Sequence, residues 1–129
     1  MEVKYKDILG FASVRLGDKK FPAAMQIAVV GNAEECNAAL KVYSEVYDKM
    51  ALEHAKKDEN GEPTKGESGG YVVEDPVAWA EAVKELDETT KELSITMVPM
   101  HVFERCCDEP AYDTPSVAET AAMKFFIEM

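Results

Sequence analysis

Long apolar runs are missing from this chain: nothing in its 129 residues approaches the roughly 20 consecutive apolar side chains that span a bilayer. The opening Met1-Glu2-Val3-Lys4-Tyr5-Lys6-Asp7 lacks the apolar centre of a signal peptide, so a cytoplasmic location is expected. Cysteine is scarce and odd in number, at three, which argues against a disulfide framework and fits reduced thiols in a cytosol. There are only two histidines. His101, Cys106 and Cys107 form the one local cluster of soft ligands, and its adjacent cysteines do not match the paired spacing of a four-ligand zinc site, so no metal or other cofactor is expected. Gly66-Glu67-Ser68-Gly69-Gly70 lacks the Lys-Ser/Thr ending of a phosphate loop, and its glutamate would repel phosphate. No internal repeat is visible.

Basic residues are the remaining deficit. Fourteen Lys and Arg face 25 Asp and Glu, a formal net charge of -11. The imbalance is uneven: residues 1–20 hold five basic and three acidic side chains, residues 74–129 four basic and thirteen acidic. Direct binding to nucleic acid or to an anionic membrane is disfavoured, because both rely on Lys and Arg. A basic protein partner would be drawn in, mainly through faster encounter. Negative charge also keeps a small domain soluble, which needs no partner at all.

What the chain does have is two helical stripes. Met25, Val29, Asn32, Cys36, Ala39, Tyr43, Val46 and Met50 recur at spacings of four and three, as do Trp79, Val83, Leu86, Thr90 and Leu93. Each stripe keeps one helix face apolar and needs a surface to bury it. The simplest answer is an antiparallel hairpin of the two. The long stripe, notably Met25, Val29, Cys36, Tyr43, Val46 and Met50, serves equally as a core or as the seam of a homo-oligomer.

Local signals fill in the rest. Residues 2–5 alternate as a strand, and Ile8, Leu9, Ala12 and Leu16 then follow a helical period that ends near Gly17. Pro22 suits the first turn of a helix running to about Lys57, with Gly31 expected as a close-packing site. Residues 58–70, with four glycines and a proline, form a turn-rich excursion that carries too few apolar groups to pack. Asp75 and Pro76 read as N-cap and first position of the next helix, expected to run to Leu93. Residues 71–74 and 94–98 read as strands, 104–113 as irregular, and Thr114-Pro115 as the start of a last helix whose Phe125, Phe126 and Ile127 dock on the core. The expected fold is α+β and α-dominant: a long antiparallel helical hairpin, flanking helices and a small sheet of about three strands, in one domain over residues 1–129.

Two groups of side chains invite a functional reading. Glu81, Glu85, Glu88 and Glu92 repeat at four, three and four, either as a solvated outer face or as a docking face that imitates a row of phosphates. His101 with Cys106 or Cys107 is the alternative for an enzyme, though nothing in the sequence positions a base beside a thiol. Trp79, Tyr43, Tyr47, Phe125 and Phe126 read as core aromatics by default, with an aromatic interface patch as the minority reading and Tyr47, next to the stripe, open to either.

The alternating start Glu2–Leu9, the long helix from Phe21-Pro22 through Asn32, the acidic Lys57–Glu62 turn, the Tyr71–Pro76 segment, the Glu/Leu-rich helix passing into Leu93–Val98 and the terminal Phe125–Met129 together resemble a family of small uncharacterised proteins encoded by tailed phages and prophages of Gram-positive bacteria. Tyr5 departs from that pattern, which has a helix-capping Asn there, and residues 105–115 look peculiar to this chain. The resemblance implies a phage or prophage origin, no known enzymatic activity and no catalytic residues. It points to virion assembly or host interaction through protein contact, in the host cytoplasm. Two other expectations stand beside it: an acidic, nucleic-acid-mimicking inhibitor of a host defence nuclease, and an enzyme built on His101.

Overall fold

The computed structural model describes residues 1–67 and 69–128, which separate into two compact units. Residues 1–40 and 90–129 form the first, and 41–89 the second. The described residues contain five α-helices and four short strands, an α+β, helix-dominant composition.

The first unit begins with β1 (Glu2–Lys4), which pairs antiparallel with β2 (Thr90–Glu92) so that Val3 faces Lys91. The Met1 ammonium binds the Glu92 carboxylate, and the Leu93 amide donates to the Met1 carbonyl at 2.9 Å. Helix α1 (Tyr5–Ala12) follows without a break and buries Tyr5, Ile8 and Phe11 at helical spacing. It therefore starts within the expected strand and ends well before Gly17, because Ser13 closes it by donating to the Leu9 and Gly10 carbonyls.

Helix α2 (Ala23–Glu53) is continuous, as its period predicts, and Gln26 donates to the Pro22 carbonyl at 3.0 Å, so Pro22 sits at its opening turn. Its first half buries Met25, Ala28, Val29, Asn32, Cys36 and Ala39 in the first unit. Gly31 is not a close-packing site: a Cβ placed there would meet nothing within 4 Å.

The expected strand over 94–98 is mostly absent, and Asn32 explains why. Its side chain is fully buried, takes a bond from the Thr96 amide at 2.8 Å and donates to the Thr96 carbonyl at 3.0 Å. One amide side chain thus binds both backbone polar groups of Thr96, as a neighbouring strand otherwise would. Only Val98–Pro99 (β3) pairs, in parallel, with Ile127–Glu128 (β4). In place of one sheet of about three strands there are two sheets of two.

Residues 104–113 are not wholly irregular, since α4 (Met100–Asp108) buries Val102 and Cys106. Helix α5 (Val117–Met123) opens with a reciprocal Ser116–Glu119 capping box, two residues beyond Pro115. A 3-10 turn over Lys124–Phe126 then delivers Phe126 into the core, where Phe11 meets Phe126 edge-on at 5.3 Å and Phe125 at 5.9 Å. Phe126 and Ile127 are buried, so the C-terminal segment docks on this core as expected.

The second unit contains the last part of α2 and α3 (Pro76–Glu88), antiparallel to each other through Tyr43–Asp87 and Tyr47–Trp79. Asp75 caps α3 by accepting from Val77 and Ala78, with Pro76 behind it. The helix stops at Glu88 rather than Leu93, with the Thr89 hydroxyl donating to the Glu85 carbonyl. Leu93 is buried instead in the first unit. Between α2 and α3 the chain runs as three bridged arms. Lys56 donates to the Val72 carbonyl, Thr64 to Lys56 and Val72 to Thr64, at 2.7 to 2.9 Å. These bonds end α2 at Glu53, short of Lys57, and make the 71–74 segment a set of isolated bridges rather than a strand. Asn60-Gly61 turns the first two arms, with Gly61 at a φ of 77° and the Asp58 carboxylate accepting from Asn60 and Glu62.

Candidate functional site

The thiol cluster of the sequence lies on α4. One helical residue turns the side chain by ~100°, so His101 stands about 140° from Cys106 and about 120° from Cys107 around the axis. Cys106 is fully buried, its Sγ 3.9 Å from the Val102 carbonyl, whereas His101 and Cys107 are exposed. Burial pushes the Cys106 thiol up, with Cys107 adding to the effect. Burial, helped by Glu35, also raises Cys36 to about 11. Both thiols stay protonated and weakly nucleophilic at neutral pH. Among the described residues, no group of three or more His, Cys, Asp or Glu side chains is gathered as a metal site.

The four glutamates do not share a helix face. Glu81, Glu85 and Glu88 are exposed on α3, but Glu92 lies on β2 in the first unit, where it holds the Met1 ammonium. A four-residue phosphate-like row is therefore not formed by α3.

The long stripe divides in two. Met25, Val29 and Cys36 are buried within the chain. Tyr43 and Met50 are half-buried in the second unit, while Val46 is exposed at 37%. Tyr43 donates to the Asp87 carboxylate at 2.6 Å, and burial followed by that bond raises its hydroxyl pKa. On the outer face of α2 within the first unit, Ile27 and Val30 stand 67% and 59% exposed.

Two concavities carry more recognition character than any of these expected groups. One is an aromatic cleft in the second unit, ≈ 630 Å³ in volume. Trp79 meets Tyr47 edge-on at 5.3 Å and His54 at 5.5 Å, and Tyr47 stacks on Tyr43 at 6.0 Å. Across the cleft, Lys65 holds its ammonium 5.7 Å from the Tyr71 ring centre. Tyr43, Tyr47 and Trp79, expected as core aromatics, are only half-buried.

The other is an apolar groove between α4 and α5, ≈ 450 Å³ in volume. Met100, Phe103, Pro115, Val117, Ala121 and Ile127 line it, and Val117 is 90% exposed. Sequence reading missed this groove because it treated 104–113 as irregular. The available signal was Val102 and Cys106 at helical spacing, with Phe103 one step around from them.

Comparison with protein-family models, curated proteins and solved structures finds no match to this chain. Among the described residues, no helix is long and apolar enough to cross a membrane.

Proposed function

We propose that this chain is a non-enzymatic accessory protein that works through protein–protein contact, in virion assembly or host interaction. Its setting would be the one the resemblance implies, the host cytoplasm during expression of a tailed phage or prophage. The observation that supports contact as the mode of action is the α4/α5 groove. Contiguous apolar surface is rare on a monomer unless something covers it, and here Val117 projects almost completely into solvent beside Phe103, Met100 and Ile127.

Charge narrows the partner. Lys124 is the one charged side chain in the groove's lining, while the chain as a whole is anionic. The complementary surface is an apolar row on a helix or an extended segment of another protein, with an acidic group placed to meet Lys124.

Val117→Asp and Ala121→Asp test this reading, since both side chains lie at the surface lining rather than in the core. Each variant should keep the wild-type melting temperature. A protein identified by mass spectrometry after capture on the wild-type chain should be lost on both variants and return with Val117→Ile. Retention of the same partner by Val117→Asp would contradict the proposal. Light scattering at low and high salt identifies the partner as a second copy if a dimer forms and Val117→Asp dissolves it.

A further inference from the structure

The aromatic cleft of the second unit shares no lining residue with the α4/α5 groove. Its size falls within the range of small-ligand pockets, which are mostly aromatic and apolar with a few placed polar groups. Tyr47 and Trp79 offer aromatic surface on the helical side, and Tyr71 offers another ring on the opposite side. Rings of this kind bind flat aromatic ligands by stacking. Lys49 and Lys65 both line the cleft although the second unit as a whole is acidic, and Asp48 lies beside them. Ammonium groups suit an anion of low charge, and a carboxylate accepts from ligand hydroxyls.

We propose that this cleft binds a mononucleotide, with its base among Tyr47, Trp79 and Tyr71, its phosphate on Lys49 and Lys65, and its sugar hydroxyls on Asp48. A nucleic-acid strand is disfavoured at the same place, because a net charge of -11 repels a long polyanion far more than a single phosphate.

The protein's one tryptophan, Trp79, lines the cleft and reports on it directly. Titration with AMP and GMP, exciting at 295 nm, should give saturable fluorescence quenching. Lys65→Gln should weaken binding about tenfold, the loss expected for one charge-assisted hydrogen bond, and Tyr71→Ala should weaken it by a similar factor. Both positions are at or near the surface, so the variants should keep the wild-type circular dichroism and melting temperature. Adenosine without phosphate should bind about tenfold or more weakly than AMP, and inorganic phosphate alone should leave the fluorescence unchanged.

No quenching by either nucleotide up to millimolar concentration would overturn the assignment. So would adenosine matching AMP, or Lys65→Gln binding as tightly as wild type. Nuclear magnetic resonance shifts on adding AMP should fall on residues 47–52, 65, 71 and 79; shifts centred on α4 and α5 would equally contradict it. Because Val117→Asp leaves the cleft untouched, its AMP binding should equal that of wild type whether or not the groove reading holds.

Discussion

The two units are built on different principles. In the first, side chains from β1, α1, α2, β3, α4, α5, the 3-10 turn and β4, with the intervening loops, form a buried core, with Ile8, Met25, Val98, Met123 and Phe126 all fully buried. In the second, Ala55 is the one buried apolar residue among those described, and α3 buries none. It holds together through half-buried aromatic contacts, the Tyr43–Asp87 bond and a ladder of backbone bonds between short arms. Stability follows buried apolar area at roughly 25 cal/mol per Å², so the second unit should open at lower free energy. The difference separates tasks: one unit maintains the fold, while the other displays an open aromatic cleft. A dry core cannot admit a ligand, and an open cleft contributes little to holding the chain folded.

The sharpest way to break this contrast is to remove one large aromatic from each unit. Phe126→Ala should cost about 3–5 kcal/mol in urea unfolding, as expected for deleting a fully buried ring. Trp79→Ala should cost only about 1–2 kcal/mol, because its ring is half-buried and its contacts are few. Equal losses would show that the second unit holds a core after all. Between these lies Asn32→Ala, which removes both bonds to Thr96 from a fully buried position and should lower stability by about 2–3 kcal/mol.

Smaller effects sharpen the picture within the first unit. Gly31→Ala should raise stability by about 0.5–1 kcal/mol, since the added methyl meets open space and the helix loses a flexible residue; destabilisation would restore Gly31 as a packing site. The smallest effect is that of pH on the α5 cap. The Ser116 amide, and secondarily Lys19, hold the Glu119 carboxyl below its ordinary range. A depressed carboxylate pKa adds stability above its unfolded value of about 4.3 and loses it as pH falls through the folded one. The stability difference between wild type and Glu119→Gln should therefore be full near pH 6 and shrink below pH ~4. A difference constant over that range would remove the carboxylate from the cap.

Much of the frame was legible because it rests on local rules. The Asp75-Pro76 start, the continuity of α2 and the docking of Phe126 each follow from a cap, a period or an apolar end that cannot sit in water. The failures share a different cause: they depend on what meets across the fold. A strand over 94–98 was a fair reading of β-branched content, but a remote asparagine took the backbone bonds a neighbouring strand would have made. Thr90–Leu93 fits the helical period of α3, yet pairing with Glu2–Lys4 drew those residues into the first unit and put Glu92 on a strand rather than on the helix of the other glutamates. Asn32 itself was visible as a lone amide within an apolar stripe, the pattern expected of a buried polar group with a specific partner. Neither concavity was legible as a site: the spacing of Val102 and Cys106 marked α4, but nothing in the sequence brought Phe103 together with Val117, or Trp79 together with Tyr71.

Residue-resolved hydrogen exchange on the free protein tests the division between the units most directly. Amides in α1, the first half of α2 and α4 should exchange only on global unfolding, while those in the 54–74 arms and α3 should exchange faster, through local opening well below the global free energy. Uniform protection across both units, or slower exchange in α3 than in α1, would contradict the account.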